Sequence, residues 1–184
     1  NWCPRCETAI ADAEVEYWDE SDPSIFVKFP LTGKTDESLL IWTTTPWTLP
    51  ANVAVAVSKE FEYAKVLAKK DGKEEFLWIA EPLVKAVLKK GRYKDFSIVE
   101  KKKGSELVGW TYDSPLKELV PLQKEIQHRV VAADFVALEN TGMVHIAPGH
   151  GWDDFVLGTK EGLQIVCPVD GAGKFTDNAG QFAG

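Results

Sequence analysis

The chain has 184 residues, of which 45% are hydrophobic and seven are Trp, and its formal net charge is −7. This composition predicts one globular domain with a buried core and argues against a disordered chain. The acidic balance argues against a protein that grips nucleic acid over its whole surface. No apolar run approaches the roughly 20 residues that a membrane helix needs.

The start of the chain and its cysteines bear on its cellular setting. It begins at Asn1 without a Met or a signal peptide, so we expect a segment of a longer polypeptide. Three cysteines are too few for a disulfide framework, which favours the reducing cytoplasm. Cys3 and Cys6 form a CxxC pair that resembles half of a structural zinc site, and Cys167 is expected to be a small buried hydrophobe.

Strand signals dominate the sequence. Apolar alternation and β-branched runs predict extended segments at 14–17, 25–29, 39–44, 53–57, 63–68, 76–80, 96–99, 129–138 and 143–147. The Val-Ala alternation of 53–57 suits a strand packed on both faces. Asp71 and Gly72 predict a hairpin turn, and we expect the segments 129–138 and 143–147 to pair with each other.

Helix signals are fewer. One helix is predicted to open at Glu81 and Pro82 and to end at Gly91, and a second to run from near Asp153 towards Gly162. Many strands with few helices predict a mainly β, barrel-like domain with α insertions. Lys and Arg outnumber acidic residues over 85–103, which indicates either a solvated helix end and loop or a local nucleic-acid face.

Residues 42–52, WTTTPWTLPAN, form the first unusual motif, called here the threonine segment. It gathers four threonine hydroxyls, two indoles and two prolines between two strand-like runs. Thr hydroxyls concentrated at a rigid bend add little to a fold, whereas a site that hydrogen-bonds a polar ligand against aromatic walls needs them. The segment therefore predicts a binding site.

Residues 143–155, MVHIAPGHGWDDF, form the second motif, called here the histidine–aspartate segment. It predicts a strand, a glycine-rich turn and a helix start, with His145 near the strand end and Asp153 and Asp154 in the first helical turn. Helix capping by the aspartates and a core role for His145 are the alternatives to a functional site. A metal site with His150 is disfavoured because the spacing matches no standard zinc signature.

Together the two motifs resemble the editing domain, connective polypeptide 1, of isoleucyl-tRNA synthetase. The matching residues are TTTPWTLPAN at 43–52 and VHIAPGHGWDDF at 144–155, and the opening 1–17 is similar to the approach from the synthetase body. The resemblance implies a closed β-barrel of the type shared with the valyl and leucyl enzymes. It also implies a single editing domain over 1–184, with 1–20 leading in and a loop-like 171–184 leading out.

The implied activity is hydrolysis of valine esterified to the terminal adenosine of the isoleucine tRNA, after transfer and as a further possibility before it. Editing is needed because one methylene discriminates by only about 1–3 kcal/mol, a case for which isoleucyl-tRNA synthetase is itself the standard example. The implied partners are this tRNA and the synthetase body in cis, without a membrane, and a monomeric segment is expected. Editing is expected to need no cofactor, whereas ATP and structural zinc belong to the full-length enzyme.

The resemblance also assigns roles. Asp154 would bind the α-ammonium of the substrate, and His145 would help to reject isoleucine by size. Thr45 and Thr48 would act with Asp154 in orienting the attacking water, since no Ser–His–Asp or Cys–His set is visible. The remaining residues assigned to substrate binding are Thr43, Thr44, Trp47 and Asn52.

Two alternatives remain open at this point. A valyl-type editing domain would remove threonine in place of valine. A binding module would hold the tRNA acceptor end while catalysis took place elsewhere, and the basic stretch 85–103 suits that role equally well.

Overall fold

The computed structural model describes residues 1–184 as two packed sheets, a small terminal hairpin and helices on the outer faces. The strands are β1 Trp2–Cys3, β2 Thr8–Ala9, β3 Ile25–Pro30, β4 Glu37–Thr43, β5 Ala54–Val57, β6 Glu62–Lys70, β7 Lys73–Ala80, β8 Asp95–Lys103, β9 Arg129–Ala132 and β10 Met143–Ile146. The α-helices are α1 Val84–Lys90, α2 Gly104–Leu107 and α3 Trp152–Glu161. Short 3-10 turns occupy Asp12–Glu14, Pro46–Ala51, Glu81–Leu83, Pro121–Lys124 and Asp177–Phe182. None of these helices has both the length and the apolar content that a membrane crossing requires.

The strands of the domain body form two sheets of different size. The larger has the order β3-β4-β7-β6-β8 and is antiparallel except between β4 and β7. The smaller has the order β10-β5-β9, in which β10 is antiparallel and β9 parallel to β5. The predicted pairing of 129–138 with 143–147 is therefore wrong. Each pairs with one edge of β5, whose apolar side chains are buried on both faces of the sheet.

The mainly β class with helical insertions is confirmed, but the ladders do not form a closed barrel. The larger sheet begins with β3 and ends with β8, and these two edge strands do not pair with each other. Beyond β3 only isolated bridges, Leu31 to Tyr112 and Thr111 to Arg129, continue the hydrogen bonding towards the smaller sheet. The two sheets pack against each other through a shared hydrophobic core.

Alternation along the strands builds the core in layers. In β4, Leu39 and Ile41 enter the cluster between the two sheets, whereas Leu40 enters a second cluster beneath α1. In β5, Val55 and Val57 face the shared core, and the intervening alanines join a third cluster that includes Leu157 of α3. Burial of each large aliphatic side chain contributes roughly 1.5–3 kcal/mol. The prediction of a strand at 53–57 packed on both faces is confirmed.

The predicted turn and helix ends are also present. Lys70 pairs with Lys73 across the hairpin, and Asp71 and Gly72 have φ of 51° and 78°, as a two-residue turn with two left-handed positions requires. α3 ends at Gly162, whose φ of 65° gives the usual left-handed cap.

Four local predictions differ from the structure. Residues 14–17 lie outside any strand, and 129–138 is a strand only as far as Ala132. Cys167 is exposed, because it lies in the irregular connection after α3, and the expectation of a buried thiol is wrong. The tail 171–184 is not wholly a loop, since it contains the turn Asp177–Phe182.

Candidate functional site

The threonine segment bridges the two sheets. It leaves the larger sheet at Thr43, passes through the 3-10 turn Pro46–Ala51 and enters the smaller sheet at Ala54. Prolines at the first position and inside the turn restrict its backbone. The Thr48 N–H donates to the Thr45 carbonyl over 3.0 Å, which closes the turn. The hydroxyls of the segment therefore have fixed positions.

Strand register brings the histidine–aspartate segment against it. His145 of β10 lies opposite Val55 of β5, and Ile146 lies opposite Ala54. The Val53 N–H also donates to the Ile146 carbonyl over 3.0 Å. The end of β10 thus lies beside the point where the threonine segment joins β5. The chain then turns through 147–151 into α3.

A cleft of about 290 Å³ lies between the two segments and is called here the Thr–Asp cleft. The threonine segment lines it with Trp42, Thr43, Thr44, Thr45 and Thr48. The histidine–aspartate segment lines it with Val144, His145, Ala147, His150, Gly151 and Asp154. The structure therefore brings together the predicted residues Thr43, Thr44, Thr45, Thr48, His145 and Asp154.

Both ring nitrogens of His145 are engaged in this wall. Nε2 lies 2.7 Å from the Thr48 hydroxyl, which itself donates to the Thr45 carbonyl over 2.8 Å. Nδ1 lies 2.9 Å from Asn52 Nδ2, an amide donor. Because the Thr48 proton is already used, the network assigns a neutral imidazole that donates from Nε2 and accepts at Nδ1.

Burial agrees with this neutral state. It lowers the pKa of His145 to about 4, and the neighbouring His150 lowers it further as the smaller cause. A ring whose two nitrogens are both engaged in hydrogen bonds has no free lone pair with which to serve as a general base. His145 is a structural part of the cleft wall.

Asn52 continues the network away from the cleft. Its Nδ2 also donates to the Ala54 carbonyl over 2.9 Å, and its Oδ1 accepts from the Tyr112 hydroxyl over 2.7 Å. Gln123 and His128 contact the Asn52 carbonyl from the same side. Asn52 is fully buried and does not line the cleft, so its position is that of a support for His145. Sequence reasoning missed Tyr112, Gln123 and His128, because nothing in their own sequence neighbourhoods marks them.

Asp154 is half-buried in the first turn of α3. Its Oδ2 accepts the Ala147 N–H over 2.8 Å, whereas the N-cap position is Gly151, without a side-chain cap. Simple helix capping therefore does not describe this carboxylate. Burial raises the pKa of Asp154 above its usual value and Asp153 raises it further, while the Ala147 hydrogen bond opposes the shift. A cationic partner would stabilise the ionised carboxylate and so counteract this rise in pKa.

The four threonines divide by exposure. Thr48 is buried and its hydroxyl is held by His145 and the Thr45 carbonyl. Thr43 is buried and its Oγ1 accepts the Thr45 N–H over 3.0 Å. Thr44 and Thr45 are exposed at the cleft, and the Thr45 hydroxyl lies 3.3 Å from that of Thr43. The hydroxyls free to meet a ligand are therefore those of Thr44 and Thr45.

Two further nitrogens of the cleft-lining residues lack partners. Trp42 Nε1 and His150 Nε2 are both buried without a hydrogen bond. Trp47 is about half exposed and reaches the cleft only through His150, whose ring it meets edge-on at 5.4 Å. The Lys90 ammonium lies 5.5 Å over the Trp42 ring, so one lysine of the basic stretch contacts a residue that lines the cleft.

The cysteine pair lies apart, in the β1–β2 hairpin. The backbone N–H groups of Cys6 and Arg5 lower the pKa of the Cys3 thiol, a setting that favours the thiolate a metal needs. No three His, Cys, Asp or Glu side chains of residues 1–184 gather in a metal-binding arrangement. Any metal at this hairpin would therefore need ligands beyond those that the chain brings together.

The buried state of His145 predicts an acid-sensitive fold. Unfolded histidine titrates near 6.5 and the folded ring near 4, so the unfolded chain takes up the proton first as pH falls. The contribution of His145 to the free energy of unfolding is therefore fully present above about pH 6.5 and falls by roughly 3 kcal/mol towards pH 4. Urea unfolding at stepped pH measures this slope, and the variant His145→Gln should flatten it. Burial also lowers the pKa of His128 and His150, so a residual slope remains in the variant. Identical slopes in the two proteins would contradict the assignment.

The sequence is similar over its whole length to parts of archaeal isoleucine–tRNA ligases. It is 78% identical over 184 residues to the ligase of Methanoregula boonei and 58% identical to that of Archaeoglobus fulgidus, with 100% of this chain covered in both cases. The chain spans 17% and 18% of the length of these relatives. No protein-family model matches the chain.

The fold is similar to solved editing domains of leucyl-tRNA synthetases. The crystal structure of GlLeuRS-CP1 superposes with a TM-score of 0.61 at 17% identity, over 75% of this chain and 59% of that one. The editing domain of the P. knowlesi cytosolic leucyl-tRNA synthetase gives 0.58 at 15% identity, over 76% of this chain and 62% of that one. By sequence, the chain belongs to the isoleucyl-tRNA synthetase family as a segment of the full-length enzyme, and it has the fold of the solved leucyl-tRNA synthetase editing domains.

Proposed function

We propose that the chain hydrolyses valine from misacylated isoleucine tRNA, in cis within an isoleucine–tRNA ligase. The observation that carries the proposal is the Thr–Asp cleft, where a half-buried carboxylate, Asp154, lines the same small space as the exposed hydroxyls of Thr44 and Thr45. An aminoacyl ester presents the matching groups, an ammonium beside a carbonyl and a ribose. The similarity to isoleucine–tRNA ligases supports the same substrate class.

In this proposal Asp154 binds the α-ammonium. Its Oδ2 is already oriented by the Ala147 N–H, so the carboxylate is fixed before the substrate arrives. A charge-assisted hydrogen bond of this kind holds the ester in one pose, which lowers the entropic part of the barrier. The ion pair also offsets the burial that raises the pKa of Asp154.

The chemical step is attack of water on the ester carbonyl. The carbonyl carbon gains a bond to the water oxygen, the bond to the ribose oxygen breaks, and the proton that water loses passes to the ribose oxygen. Thr44 and Thr45 present hydroxyls where the negative charge develops on the carbonyl oxygen. Thr48 supports this arrangement, because its hydroxyl is hydrogen-bonded to the Thr45 carbonyl and to the His145 ring.

His145 forms the wall of the sieve in this proposal. It lines the cleft with only 9% of its surface exposed, and its two hydrogen bonds prevent the ring from turning away. A rigid wall of this kind rejects a side chain that is one methylene larger. The similarity to isoleucine–tRNA ligases, and not the size of the cleft, favours valine as the substrate over the nearly isosteric threonine. Hydrolysis before transfer, a monomeric state and a cytoplasmic location remain part of the same proposal.

The first test concerns Asp154. Asp154→Asn keeps the shape and removes the charge, so kcat/KM for valyl-tRNA hydrolysis should fall by roughly 10²-fold or more, since a buried charge pair is worth several kcal/mol. In the wild type, hydrolysis should decline as pH falls through a pKa higher than that of an ordinary aspartate, because only the ionised form binds ammonium. Asp153→Asn is the matched control on the exposed neighbour. Equal rates for Asp154→Asn and the wild type would exclude the assigned role.

The second test concerns the sieve. His145→Ala should enlarge the cleft and permit hydrolysis of correctly charged isoleucyl-tRNA, which the wild type leaves intact. Tyr112→Phe is the control, because it removes a hydrogen bond from Asn52 in the same network without changing the cleft wall. Deacylation assays with valyl, threonyl and isoleucyl esters measure the three rates. Continued protection of isoleucyl-tRNA in His145→Ala would exclude size rejection by this ring.

The third test concerns zinc. We propose that Cys3 and Cys6 supply two of the four thiolate or imidazole ligands of a structural zinc, and that the others come from outside this chain. The 184-residue chain alone should then hold little zinc after dialysis, as elemental analysis can measure. Stoichiometric, tightly held zinc would contradict the half-site.

A further inference from the structure

A stacked and exposed aromatic pair, Trp152 and Phe155, lies at the start of α3 beside the cleft-lining residues Gly151 and Asp154. Trp152 is 77% exposed, more than any other large hydrophobic residue except Tyr17, and Phe155 is 38% exposed. Their rings stack with centroids 5.9 Å apart and planes inclined by 26°. Exposure of this much aromatic surface is unfavourable unless a partner covers it.

The position of this pair limits what the partner can be. Trp152 follows Gly151 and lies two residues before Asp154. Gly151 and Asp154 both line the cleft. The proposed substrate reaches the cleft as the end of a single-stranded nucleotide chain. With its terminal adenosine in the cleft, the preceding nucleotide leaves the cleft over one of its edges, and Trp152 lies at the edge that Gly151 forms.

Charge at the rim selects the part of that nucleotide that is recognised. Asp153, which separates Trp152 from the cleft carboxylate Asp154 in the sequence, is exposed and acidic. An acidic neighbour repels a phosphate, whereas a flat indole stacks with any nucleobase at roughly 1–3 kcal/mol per base. The chemistry of the pair therefore suits a base and not the backbone.

We propose that Trp152, supported by Phe155, is a stacking platform for the base of the nucleotide that precedes the terminal adenosine. This inference rests on the proposed editing function and adds a subsite to it. The platform contributes binding of the nucleotide chain and has no part in the hydrolysis of the ester itself. Trp152 is a positioning residue in this sense.

The test compares substrates of increasing length on the intact ligase that carries this segment. Trp152→Ala should leave KM for valyl-adenosine unchanged and raise KM for the valylated dinucleotide cytidylyl-adenosine about 5- to 150-fold, with kcat largely retained. Trp152→Tyr, which keeps a stacking ring, should restore most of the loss. Trp18→Ala is the matched control, because Trp18 is 73% exposed and lies outside both of the segments that line the cleft.

Three other results would separate the stacking platform from alternative roles of Trp152. An equal change for both substrates would overturn the proposal, because Trp152 would then act on the cleft or on folding. No change for either substrate, with a loss of thermal stability of the intact ligase, would also overturn it and assign Trp152 to packing against the rest of the enzyme. Binding of a non-hydrolysable dinucleotide analogue separates the two proposals. Trp152-dependent binding without turnover by the wild type would refute editing and support the platform.

Discussion

The two hydrogen bonds of His145 are the constraint on which the site depends. One reaches Thr48 in the turn that leaves the larger sheet, and the other reaches Asn52 just before the smaller sheet begins. Leaving either nitrogen unpaired at this depth would cost roughly 1–3 kcal/mol. The ring must therefore be neutral and in one tautomer. That requirement fixes the threonine segment against β10 and with it the width of the cleft.

This constraint divides the polar groups into those that hold the site and those that can act. Thr48, His145 and Asn52 satisfy one another and have little capacity left for a ligand. Asp154 and the exposed Thr45 remain available at the cleft. A preorganised polar wall of this kind costs little reorganisation when charge develops on a bound ester. The same rigidity makes discrimination by size possible, since a wall that yields cannot exclude one methylene.

Much of the local structure could be predicted. Period-2 alternation located β3 to β8, and the two-residue Asp-Gly signal located the β6–β7 turn. The order of the smaller sheet could not be predicted, because either edge of β5 offers the same unpaired backbone groups to 129–132 and 143–146. Burial of Cys167 was predicted wrongly from residue type alone, since exposure depends on what packs over the connection after α3.

The sequence by itself determined the chemical groups of the site and their local frames. Two prolines dictate a tight turn around Thr48, and the glycine-rich turn followed by a helix start places Asp154 in a first helical turn. Only the tertiary structure decided which groups face the cleft. The contact between Thr48 and His145 joins positions 97 apart in the chain, and it follows from the register of β10 on β5. A shift of one residue would turn His145 to the opposite face of the sheet, because side chains alternate along a strand.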